Sequence, residues 1–155
     1  MYNKQKNIIM KKIALLFTCL ATFAIASCSM LQPAASSNTV ATTAGQTCGS
    51  AILALYNAYK ATGKIDLSNP ANLANALTLA TSYTILQQNK GNDSFTRAFA
   101  SGIALGATGL LTPASAVTAT NTLANSSALG NINRNNATSS SSSTAVNKFI
   151  LHVAE

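Results

Sequence analysis

The stretch Asp93-Ser-Phe-Thr-Arg-Ala-Phe-Ala-Ser-Gly-Ile-Ala-Leu-Gly-Ala-Thr-Gly-Leu-Leu111 constrains the fold more than any other part of this sequence. Its apolar spacing predicts a helix over Phe95 to Leu111, capped by Asp93 or Ser94. Along one face fall Phe95, Phe99, Gly102 and Gly106, with Gly109 and Leu110 following. Each interior glycine costs about 1 kcal/mol relative to alanine, so the three cost roughly 3 kcal/mol that packing must offset. Gly102 and Gly106 are four apart and form a groove into which another backbone can come close. Such a helix needs a close neighbour, and the rest of the chain must provide it or a partner must.

The segments around it read as further helices. Ile52, Leu55, Tyr56 and Tyr59 recur at i, i+3, i+4 and i+7, predicting a first helix from Cys48 to Thr62 that stops at Gly63. Asn69 followed by Pro70 is a cap and first-turn proline, opening a second helix that runs to about Gln88. Leu73, Leu77, Ala80 and Thr84 share one of its faces, with Leu79, Tyr83 and Leu86 beside them, and Gly91 closes it. Pro113 opens a fourth segment to about Ala128, with Val117, Thr120, Leu123 and Ala124 at helical spacing. The stretch 129–144 is rich in Asn and Ser and reads as a linker. In the tail, 145–155, Val146, Phe149, Ile150 and Val153 fit a helix face; "FILHV" also fits a short strand, the helix being favoured. The fold class expected is mostly α: a small Ala-rich bundle of three to four helices over residues 47–128, with a C-terminal docking segment.

What precedes this body is of a different kind. Lys11 and Lys12 lead into an apolar run from Ile13 to Ala26, fourteen residues. As a helix that run spans ~21 Å, short of the ~30 Å hydrocarbon core, which favours a secretory signal over a permanent span. Ala26 and Ser27 then lead into Cys28. Ile25-Ala26-Ser27-Cys28 resembles the lipobox of bacterial lipoproteins, in which a branched aliphatic residue and two small ones precede a cysteine. The family pattern most often has Leu where Ile25 stands. The resemblance covers about nineteen residues, from Met10, itself a natural start, to Cys28. It implies that residues 1–27 are a lipoprotein signal peptide recognised through Ile25, Ala26 and Ser27. It also implies that Cys28 receives diacylglycerol on sulfur and, after cleavage, an acyl chain such as palmitate on its amine. Ser29 rather than Asp after the cysteine points, within that resemblance, to the outer membrane facing the periplasm. Residues 28–46, rich in Ser, Thr and Ala, then read as a flexible tether.

Charge and chemistry-bearing residues exclude more than they suggest. The net charge of +7 belongs largely to the leader. From Cys28 onward Lys60, Lys64, Lys90, Arg97, Arg134 and Lys148 face Asp66, Asp93 and Glu155, without a basic cluster or interleaved aromatics, so no nucleic-acid footprint is present. Gly102, Gly106 and Gly109 lack the preceding strand, spacing and acidic residue of a dinucleotide fingerprint. Tyr56 and Lys60 read as a core tyrosine and a solvated lysine. His152 is the single histidine, too few for zinc with Cys48 alone. It lacks a nucleophile elbow, and Asp93 and Asp66 read as cap and turn residues. No enzyme, metal or cofactor is expected. Cys48 is left without an internal partner once Cys19 and Cys28 are accounted for. It reads either as a small half-buried residue or as a thiol for an intermolecular disulfide. Two functions are compatible with these features. One is a lipid-anchored envelope protein with a non-catalytic binding or structural role, meeting another envelope protein through the Phe99, Gly102, Gly106, Gly109 groove. The other is a membrane-active lipoprotein that inserts helix 95–111 into lipid.

Overall fold

The computed structural model describes residues 37–134 and 140–155. Among them are six helices: α1 (Ser37–Thr62), α2 (Pro70–Gln88), α3 (Asp93–Gly106), α4 (Pro113–Asn125), α5 (Ser127–Arg134) and α6 (Ser140–Ala154). The expected mostly α body is present, with more helices than the three to four expected.

The helix ends follow from local chemistry. The Asn69 side chain accepts from the Ala71 amide at 2.9 Å, and Pro70 takes the first helical position, where its missing N–H costs nothing. Thr112 does the same for α4, accepting from the Ser115 amide at 3.2 Å ahead of Pro113. For α3 the cap is Asn92, not Asp93 or Ser94: its side chain accepts from the Phe95 amide at 3.1 Å. Asp93 instead stands in the first turn, where a carboxylate favours the positive end of the helix. Gly63 and Gly91 stop α1 and the α2–α3 turn at φ of 73° and 88°, conformations that L side chains resist.

Three boundaries differ from expectation. Helix α1 begins at Ser37, so residues 37–46 are helical rather than tether. Helix α3 ends at Gly106, and Gly109, at φ 83°, belongs to the following turn. The described part of 129–144 is also helical, in α5 and the start of α6, rather than linker. Leu129 and Ile132 are fully buried there, and that burial overrides the poor helix propensity of Asn and Ser.

The core runs through all six helices. From α1 come Ile52 and Leu55, from α2 Leu79 and Leu86, and from α3 Phe95, Phe99 and Ile103; α4 adds Leu123. The tail is helix, not strand, and buries Val146, Phe149, Ile150 and Val153 as its spacing predicts. In α2 the buried face is Ala76, Leu79, Ala80 and Leu86, while Thr84 is exposed. The expected face centred on Leu73, Leu77, Ala80 and Thr84 is rotated away from the true one, since α2 is apolar around most of its circumference. Val117 likewise turns outward, 48% exposed.

Candidate functional site

The most extensive helix pairing in the body is that of α1 with α3. The two run parallel. Ser94 Oγ donates to Asn38 Oδ1 at 3.0 Å near their N-terminal ends, and Ser50 Oγ approaches the Gly106 carbonyl at 3.5 Å near the end of α3. Between these points the backbones touch. A Cβ built on Gly45 would overlap the Phe99 carbonyl oxygen and lie 2.9 Å from its carbon. One on Gly49 would overlap the Ile103 carbonyl oxygen and lie 2.9 Å from the Ala107 nitrogen. From the other side, one on Gly102 would overlap Thr42 O, and one on Gly106 would overlap Gln46 O. Gly45-x-x-x-Gly49 and Gly102-x-x-x-Gly106 thus face each other, a small-residue seam that lets two backbones reach a separation no larger residue permits.

This seam settles where the glycine groove goes. Gly102 and Gly106 pack a helix, as expected, but the helix is the chain's own α1, so their groove is filled and is no free surface for a partner. Phe99 is fully buried behind it, its ring stacked on Phe95 with centroids 6.4 Å apart. Gly109 takes no part, since nothing lies within 4 Å of where its Cβ would stand.

Cys48 lies mid-helix in α1, fully buried, not at a helix start. Burial pushes its thiol up to about 12, with a side-chain hydrogen bond to Ser82 pulling the other way. A thiol that is neither ionised nor reachable cannot meet a second chain's sulfur, so the intermolecular disulfide reading is overturned in favour of a small core residue.

The remaining candidates do not assemble. Asp66 is a turn residue, as expected: its Oδ1 accepts from the Ser68 amide at 2.9 Å and the Ser68 hydroxyl at 2.7 Å, which hold its carboxyl below the usual range. Tyr56 is half-buried against the core and Lys60 is exposed. Among the described residues no three His, Cys, Asp or Glu side chains gather in a way that could hold a metal ion. No buried side-chain nitrogen or oxygen among them lacks a hydrogen-bond partner. Ile25, Ala26, Ser27 and Cys28 lie outside the described residues.

A cleft of about 360 Å³ where α4 and α5 meet α6 is lined by polar and charged residues. Thr122 and Ser126 line it from the α4 side, and Lys148 and His152 from α6. Helix α6 is held in place by its first turns: Asn147 Oδ1 accepts from the Ile65 amide at 2.5 Å, and Ser143 Oγ donates to the Ile65 carbonyl at 2.6 Å. Sequence reasoning noted His152 but had no signal for the cleft, which exists only once α6 docks beside α4. Comparison with protein-family models, curated proteins and solved structures gave no match.

Proposed function

We propose that this chain is a lipid-anchored, small helical protein of the bacterial cell envelope with a non-catalytic binding or structural role. The observation that carries it is the Ile25-Ala26-Ser27-Cys28 sequence behind Lys11, Lys12 and a fourteen-residue apolar run. In this reading signal cleavage leaves Cys28 as the first residue, its sulfur and amine acylated, and Ser29 directs the protein to the outer membrane facing the periplasm. Two or three acyl chains hold a protein durably where one does not, since each buried methylene contributes ~0.8 kcal/mol. The described body is compatible with such a role: an all-α fold without a gathered set of catalytic or metal-ligating side chains among the described residues.

Insertion of residues 95–111 into lipid is the weaker reading. It would require α3 to leave α1 and expose both glycine faces, and no helix among the described residues is long and apolar enough to cross a membrane. Metabolic labelling with a palmitate analogue tests the anchor. Label is expected on the wild-type chain and absent from Cys28→Ala; label retained in that variant refutes the assignment.

A further inference from the structure

We propose that the cleft between α4 and α6 is a binding site for a small organic carboxylate, independent of how the chain is attached to a membrane. Its volume, about 360 Å³, lies at the lower end of the ~300–1,000 Å³ typical of small-molecule sites. Its lining is of two kinds. Ala128, Ala145 and Phe149 give it an apolar part, while Lys148 and His152, one turn apart on α6, are its charged and imidazole-bearing lining residues. From the facing side come Ser126 and Thr122, the latter with its hydroxyl donating to the Thr118 carbonyl at 2.9 Å. This combination suits a ligand with an apolar body and one charged, hydrogen-bonding end.

The sign and size of that charge follow from the lining residues. Among the described residues that line the cleft Lys148 is the formal cation, and none is an aspartate or glutamate. Glu155 lines a neighbouring depression of about 190 Å³ that shares His152. A single ammonium matches a monoanion. A dianionic phosphate calls for more positive charge and for the forked donors of arginine, and no arginine is among the described residues that line the cleft. A carboxylate takes a hydrogen bond on each oxygen, so Lys148 Nζ and a ring N–H of His152 or the Ser126 hydroxyl can share one carboxylate. Lys148 is exposed, so its charge is fully hydrated until a ligand arrives, and it needs no buried counter-ion.

His152 is the single histidine of the chain, which makes its imidazole resonances a unique reporter. Benzoate, with an apolar ring and one carboxylate, is titrated into the full chain while these resonances are followed by NMR, with benzyl alcohol as the uncharged comparison. The expected result is a saturable shift with benzoate and at least about tenfold weaker binding of benzyl alcohol, the loss expected for a charge-assisted contact. Lys148→Gln weakens benzoate at least about tenfold by the same reasoning. Ala128→Trp, at an exposed position lining the cleft, abolishes the saturable shift by filling the space. A shift that does not saturate, equal binding of benzyl alcohol, or an unchanged affinity in either variant overturns the proposal.

Discussion

Replacing Gly45 by alanine sets two effects against each other, and the structure says which wins. In an exposed helix interior the change gains about 1 kcal/mol from helix propensity. At Gly45 the new methyl would overlap the Phe99 carbonyl, with its carbon at 2.9 Å and Gly102 Cα at 3.1 Å. All three atoms are backbone, so no side chain can swing aside, and relief requires α1 and α3 to move apart along the whole seam. Overpacking of a close-packed interior costs about 1–3 kcal/mol, and a backbone overlap belongs at the upper end. The net expectation is a destabilisation of about 2 kcal/mol. Urea unfolding followed by circular dichroism measures it. Ser101→Ala, on the exposed face of α3, is the control and changes stability by no more than about 0.5 kcal/mol. Gly45→Ala and Gly102→Ala act on one contact, so the double variant costs about 1 kcal/mol or more less than the sum of the singles. A Gly45→Ala protein more stable than wild type would refute the seam, because propensity alone would then be acting.

Other consequences are as direct. In a Cys19→Ala, Cys28→Ala background, Cys48 resists a thiol reagent in buffer and reacts at once in urea; rapid native labelling would place it outside the core. Its raised value also makes stability pH-dependent: below about pH 9 both states hold the proton, whereas between about 9 and 12 only the unfolded state loses it. Stability therefore falls there by about 1.4 kcal/mol per pH unit relative to Cys48→Ala, read from paired urea titrations. Asn69→Ala removes the α2 cap and costs about 1 kcal/mol, measured by the same unfolding assay. Asn147→Ala leaves the buried Ile65 amide without its acceptor, costs about 1–3 kcal/mol, and speeds hydrogen exchange at Ile65.

The parts of the fold legible in the sequence are those fixed by local chemistry. Asn69-Pro70, Pro113 and the glycines at 63 and 91 carry their turn and cap geometry in their own residue types. The apolar spacing of Val146, Phe149, Ile150 and Val153 likewise states its buried face. The first turns of α1 were not legible, for an instructive reason. Helices that meet backbone to backbone do so through Gly, Ala and Thr, and Thr42 and Gly45 are the residue types that also make a flexible tether. The glycines of α3 announced that a backbone must come close; nothing local announced that the backbone was that of residues 42–50. The same ambiguity hid α5, where Gly130 lets the helix press on the Tyr83 ring, with Cδ1 2.8 Å from a would-be methyl. The α4–α6 cleft was illegible because its walls come from residues far apart in the chain.

The function proposed for this chain turns on Cys28, and intact mass spectrometry of the protein extracted from membranes tests it most directly. The expected mass is that of the chain beginning at Cys28 with a diacylglyceryl group and acyl chains added. A mass that still includes residues 1–27, or one beginning at Cys28 without lipid, would contradict it.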